Sequence, residues 1–268
     1  MGFALLLTYM VVGMLVGAFG TIIGAGGGFL LLPLLLFSYP HERPSVLTGI
    51  SLAVVFVNAL SGSVAYARMR RIDWRAGVLF ALAGIPGAVL GAAITNRLDR
   101  RVFDPLLGIV LLLGAAVVFA RPELRPRPMS SSGNRTLVES GGKVHHYKPR
   151  IGLGVALSVP VGFLSSLLGI GGGILHVPAM TYLLGFPIHV ATATSHFVLA
   201  ILALAGVLPH VADGSLRPGL DRTLPLAAGV LVGAQVGARL SSRIHGRWIS
   251  RSLAVALALV GVRLLLAR

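Results

Sequence analysis

Gly24-Ala25-Gly26-Gly27-Gly28 leads, five residues later, to Pro33, and Gly169-Ile170-Gly171-Gly172-Gly173 leads, five residues later, to Pro178. Every shared position of the two phrases is offset by 145. Both phrases sit inside long uncharged stretches: no Asp, Glu, Lys or Arg occurs from Met1 to His41 or from Ile151 to Ala212. A triple glycine in such a run breaks the helix, and lipid tolerates broken backbone only where it is buried in protein or lines a cavity. Two breaks at matching positions of two halves are the pattern of a transporter with its binding site at the breaks.

The lengths support a break. One straight helix over the first run would be roughly 60 Å long at 1.5 Å per residue, against a hydrocarbon core of about 30 Å. The glycines therefore divide it into a full-length helix to about Ile23 and a short piece from Phe29 to Phe37 that cannot cross alone. Further apolar runs fall at 46–67, 76–96 and 105–120 in the first half. In the second they fall at 151–185, which contains the second break, and at 190–209, 223–241 and 250–267.

Composition leaves one solvent for these runs. Only 12% of the 268 residues are charged and 55% are hydrophobic, with a mean hydropathy of +0.87. A soluble domain carries about 25% charged residues. All eight acidic residues lie in polar breaks between apolar runs, so the net charge of +15 belongs to the loops. It reads as juxtamembrane Arg and not as a nucleic-acid footprint. Cysteine is absent, which excludes disulfides and thiolate metal sites. No metal or other cofactor is expected, and no Walker glycine-lysine motif is present. The N-terminus lacks the basic region of a signal peptide, so the first run is expected to be retained.

The repeat extends past the glycines. Thr48-Gly49-Ile50-Ser51 aligns with Thr192-Ala193-Thr194-Ser195 at offset 144, Gly62 with Gly206, and Gly87 and Gly91 with Gly233 and Gly237 at offset 146. The expected fold is an all-α polytopic membrane protein of two homologous halves. Each half has about four spans plus a glycine-broken half-helix, and the halves form an inverted repeat. Residues 1–120 form the first transmembrane repeat and 151–268 the second. Between them 121–150, rich in Pro, Ser, Gly and Arg, reads as a flexible basic cytoplasmic linker. Eight and ten crossings both leave 15 of the 23 Lys and Arg inside, so the positive-inside rule does not choose between them. The local excess of Arg239, Arg243, Arg247 and Arg251 over the balanced 210–222 loop favours ten and inversion.

The chemistry follows from the breaks. A helix restarting after each break presents N–H groups without intrahelical partners and the positive end of its dipole. Glycine lets a ligand approach that backbone closely. Gly26, Gly27 and Gly28 with Gly171, Gly172 and Gly173 are therefore expected to cradle an anion, although glycines also serve plain helix packing. Ser51, Thr194 and Ser195 would add hydroxyl donors without a buried charge, or else bond back to their own helices. His176 and His196 are the histidines well inside apolar runs. With no carboxylate in a span, His196 is the candidate for proton coupling.

At these residues, Gly24 to Gly28 with Pro33, Thr48 to Ser51, and their copies through Ser195, the chain resembles the TauE/SafE family of sulfite and organosulfur-anion exporters. The resemblance covers nearly the whole chain outside 121–150. The first copy reads Gly49-Ile50-Ser51 where the family carries a Thr-Ser pair. The resemblance implies a multi-pass inner-membrane permease for small sulfur-containing or carboxylate anions. The expected function is thus a secondary transporter of sulfite, sulfonate or a related organic anion, exporting or exchanging it by alternating access. Its partners are the anion and the lipid bilayer, with no nucleic acid and homo-oligomerisation left open. The alternatives are an anion channel, or an intramembrane serine protease using Gly49-Ile50-Ser51-Leu52 with His196 as base. The recurrence of the serine in both halves favours a binding role over the enzyme.

Overall fold

The computed structural model describes residues 2–119, 135–241 and 246–266; of the linker, 121–134 lie outside the described residues. The described residues are helical but for one hairpin. The first half contains α1 (Phe3–Ile23), α2 (Gly28–Ser38), α3 (Pro44–Arg68), α4 (Trp74–Thr95) and α5 (Arg100–Phe119). A two-stranded antiparallel hairpin follows, β1 (Arg135–Val138) and β2 (Val144–Tyr147). The second half contains α6 (Ile151–Leu167), α7 (Gly173–Pro178) prolonged by a π-turn over Ala179–Leu183, α8 (Ile188–Ala212), α9 (Leu220–Ser241) and α10 (Gly246–Leu266). Five of the described helical stretches are long and apolar enough to cross a bilayer: Phe3–Ile23, Pro44–Arg68, Trp74–Thr95, Ile188–Ala212 and Arg217–Ser241.

The outer surface is apolar. Leu82, Leu90, Leu113, Leu224 and Leu259 are each about 60% exposed or more, which suits acyl chains and would be costly in water. The interior is where small residues let helices touch. A Cβ on Gly13 or Gly17 of α1 would strike the α9 backbone at Leu226 or Val230, and one on Gly84 or Gly91 of α4 would strike Ser158 or Leu167 of α6. Close backbone approach of this kind supplies the van der Waals contact that holds membrane helices together.

The contacts pair off. α1 packs on α9 and α6 on α4; α3 packs on α8 and on α9; α4 packs on α8; α5 packs on α10. Directions follow from the residues that meet. α3 and α8 are antiparallel, because Gly49 meets His210 while Gly62 meets His196. α5 and α10 are antiparallel too, with Gly108 against Leu265 and Gly114 against Leu257. α1 runs parallel to α9. So does α3, whose N-terminal side is tied through the Glu42–Arg222 ion pair and whose later turns are tied through Ser61 and Gln235.

Since α1 and α3 point the same way, the chain must return between them, and α2 is the return. Its 11 residues span only about 16 Å, so it descends from inside the bundle and not from the far surface. Left-handed backbone makes the reversal: Gly24, Gly26 and Gly27 have φ of +82°, +74° and +80°, values open to glycine and strained for other residues. Gly169 and Gly171 repeat the device at +60° and +70°. Most of α2 is buried, through Phe29, Leu31, Leu32, Leu35 and Leu36, while Leu34 is exposed. Its end is fixed by Arg100, which donates to the carbonyls of Leu36 (2.8 Å) and Tyr39 (2.9 Å), a cation on the negative helix terminus.

Composition reads 121–150 as flexible linker, but 135–147 is ordered as the hairpin. Ser140 N–H donates to Met69 O at 3.0 Å, and Tyr147 and Arg135 both reach the Asp73 carboxylate. Composition hid this because the hairpin docks through contacts with distant segments: these polar bonds, and Tyr147 and Leu137 packed on the cluster around Phe186.

Candidate functional site

The two glycine breaks cross. A Cβ on Gly173 would strike Gly24 O and Ala25, and one on Gly28 would lie 2.6 Å from Ile170 O. Gly20 is equally closed against Gly26 and Gly27. Val55 and Leu199 stand at the crossing, and each faces glycines of both breaks: Gly26 and Gly171 lie against the pair. Ala25, Ile170, Val55 and Leu199 have no exposure at all.

At this point the backbone charges are unequally satisfied. The carbonyl side is held. Gly20 O accepts from Ala25 N (2.8 Å) and Gly26 N (3.2 Å). Ser195 Oγ donates to Gly24 O at 3.3 Å, and Ser51 Oγ donates to Gly169 O at 2.6 Å. Asn58 Nδ2 donates to Gly26 O at 3.1 Å. The helix starts have no side-chain partner: the N-caps of α2 and α7 are Gly27 and Gly172, and no side chain among the described residues caps either start, while the Ala25 and Gly26 N–H groups are held by Gly20 O and that of Ile170 by Ser165 O. The first-turn N–H groups of a helix have no intrahelical acceptor. Buried donors ordinarily find a partner, so two buried, uncapped helix starts with their carbonyls already engaged favour a negative guest.

Ser51 and Ser195 each reach across to the break of the other half, which sequence spacing alone could not reveal. Their protons are used on glycine carbonyls in this conformation. Thr194 goes elsewhere, accepting from Asp73 N–H at 3.0 Å at the start of α4. The residues beside each break are instead Thr192, whose methyl packs on Gly24, and Thr48, whose methyl packs on Gly169. Both are buried, and both hydroxyls lack a partner among the described residues. The 144-residue offset of Thr48 and Thr192 was the signal for them.

His196 is fully buried, 3.2 Å by its Nε2 from Thr21 Oγ1. Thr21 is also 3.3 Å from Asn58 Oδ1, and Tyr66 OH donates to Thr21 O at 2.7 Å while its ring meets His196 edge-on. The result is a polar cluster, Thr21–Asn58–Tyr66–His196, against the first break. Thr21 and Tyr66 escape a reading confined to charge and glycine; a hydroxyl three residues before the break was the available hint. His176 sits apart, 3.3 Å by its Nε2 from Ser158 Oγ and stacked on Phe80. Ser51 bonds Gly169 and His196 bonds Thr21, so these two side chains are not hydrogen-bonded to each other in this arrangement. Among the described residues no group of three or more His, Cys, Asp or Glu could hold a metal ion.

Over nearly its whole length, at residues 9–264, the chain matches the family model of the sulfite exporter TauE/SafE. The chain belongs to the TauE/SafE family. It is 32% identical over 215 residues to the probable membrane transporter protein YunE of Bacillus subtilis, covering 78% of this chain and 79% of that protein. A probable membrane transporter protein of Methanocaldococcus jannaschii is 26% identical over 78% of this chain and 74% of its own length. Another, YjnA of Bacillus subtilis, is 28% identical over 84% and 87%. No solved structure matches significantly. This TauE/SafE chain is therefore a multi-pass membrane transporter.

Proposed function

We propose that this transporter is a secondary carrier of a small oxyanion (sulfite, a sulfonate or a related organic anion), which it exports or exchanges by alternating access and binds where the glycine breaks cross. The observation that carries the reading is the pair of buried, uncapped helix starts whose neighbouring carbonyls are already occupied by Ser51, Ser195 and Asn58. Gly26–Gly28 and Gly171–Gly173 let the anion reach the N–H groups. The free hydroxyls of Thr48 and Thr192 are further donors, and Ser51 and Ser195 can exchange a carbonyl for the anion as the breaks move. His196, buried beside Thr21 with an Nδ1 that has no partner among the described residues, provides proton linkage. A carrier with a binding site and no covalent chemistry accounts for these contacts without an enzyme.

The matched contact pairs, with α3 antiparallel to α8 and α5 to α10, support two inverted repeats, 1–120 and 151–268. Rocking of one against the other exposes the crossing to each side in turn. The Arg-rich turns beside the hairpin favour the cytoplasm for that end by the positive-inside rule, with the carrier in the cell inner membrane.

Reconstituted protein in liposomes tests this. A panel of sulfite, sulfonates and carboxylates, with and without a pH gradient, should give saturable, trans-stimulated flux for one class. Ohmic conductance would overturn the carrier. Wild-type flux in folded Gly27→Leu and Gly172→Leu variants would overturn the site.

A further inference from the structure

The hairpin places a carboxylate on an arginine at the end of the bundle where the polar cluster begins. Arg71 lies in the turn before α4. Its Nε donates to Glu139 Oε2 at 2.8 Å and its Nη2 lies 2.8 Å from the same oxygen. Glu139 Oε1 is 2.7 Å from His145 Nε2. Both members of the ion pair are at least nine-tenths buried as side chains. The guanidinium is nevertheless incompletely used, because its buried Nη1 has no partner among the described residues. Lys143 and His189 stand close enough to this pair for their charges to be felt, and the other carboxylate nearby, Asp73, is taken up by Arg135 and Tyr147.

Contacts lead inward from Arg71. Its N–H donates to Tyr66 O at 3.2 Å, Tyr66 OH donates to Thr21 O, and Thr21 meets His196. His189 and His196 are two turns apart on one face of α8. The adjoining Asp73 engages Thr194, next to the Ser195 that holds the first break. A buried ion pair is a poor source of net stability, because desolvation offsets the attraction. A guanidinium fork is, however, well matched to planar and tetrahedral oxyanions.

We propose that Arg71 is a second oxyanion site at the mouth of the transport path, filled here by the Glu139 carboxylate and taken over by the transported anion when the β1–β2 hairpin lifts. Glu139 is thus an internal competitor, and the hairpin is the gate that carries it. The inference rests on the anion reading above.

Sulfite uptake into liposomes, with folding of every variant checked by size exclusion and melting, tests it. Glu139→Gln keeps the shape and removes the competing charge, so the KM for sulfite should fall several-fold. Arg71→Gln should raise KM about tenfold or more, the value of a charge-assisted hydrogen bond, and Arg71→Lys should fall between. The double variant should match Arg71→Gln alone, since a competitor without its site has no effect. A Glu139→Gln protein that melts earlier at unchanged KM makes the pair a structural anchor and overturns the proposal, as does independent addition of the two effects. Wild-type protein that moves no oxyanion overturns the functional reading and this site with it. Wild-type transport with an unaltered Glu139→Gln KM overturns this site alone.

Discussion

Gly28→Ala separates the crossing of the breaks from ordinary backbone preference. Gly28 opens α2 with a φ outside the left-handed region, so alanine is conformationally acceptable and by propensity gains up to about 1 kcal/mol. The added methyl, however, would sit 2.6 Å from Ile170 O and 2.7 Å from both Ile170 C and Val55 Cγ2. Ordinary contact begins at 3.4 Å, so the second break would have to retreat by about 0.8 Å in an interior packed as tightly as a crystal. Backbone yields less than a flexible side chain, which puts the overpacking near the upper part of the usual range, about 2–3 kcal/mol. The net is about 1–2 kcal/mol of destabilisation, or a melting shift of several degrees for a chain of this size. Gly152→Ala is the control, since nothing lies within 4 Å of its Cβ and it should be neutral or mildly stabilising. Melting in detergent together with initial flux in liposomes reads both. If Gly28→Ala melts with Gly152→Ala and transports at the wild-type rate, the breaks do not need the close crossing and the proposed site loses its geometry.

Two further outcomes follow from the contacts. Ser51→Ala should cost about 1–3 kcal/mol by stranding the buried Gly169 carbonyl, and more than Ser195→Ala, because 2.6 Å is a firmer bond than 3.3 Å; the reverse order of melting temperatures refutes this. Burial pushes the Glu139 carboxyl up, but the His145 hydrogen bond and the Arg71 charge outweigh it and hold it below the ordinary carboxylate value. A lowered folded value stabilises the docked hairpin above the unfolded pKa, and that stabilisation is lost as pH falls through the folded one. Hydrogen exchange over 135–147 should therefore hold steady through mild acid and rise only below about pH 4; loss of protection between neutral pH and pH 5 would remove Glu139 as the holding charge.

The bilayer as solvent, the helical class, the approximate spans and the positions of both breaks were legible because each is a local property. Uncharged run lengths are set against a fixed membrane thickness, and glycine adopts the left-handed backbone of Gly24, Gly26, Gly27, Gly169 and Gly171 without strain. The candidate site was legible only in part. Gly26–Gly28 and Gly171–Gly173 could be picked out because they break the helices themselves. The targets of Ser51 and Ser195 could not, because each hydroxyl crosses to a break more than a hundred residues away. Thr194 shares their spacing yet faces Asp73, since one step along a helix turns a side chain by about 100° and packing decides which face meets which neighbour. The hairpin was hidden for a related reason: what holds it, Asp73, Arg71, Met69 and the apolar cluster around Phe186, belongs to other segments. What the sequence determined by itself was where the chain must break and that no fixed charge is available there. What only the tertiary structure decided was that the breaks turn the chain back, cross each other, and engage their carbonyls while leaving both helix starts without a side-chain cap. Those are relations between distant segments, and they exist only once the helices have packed.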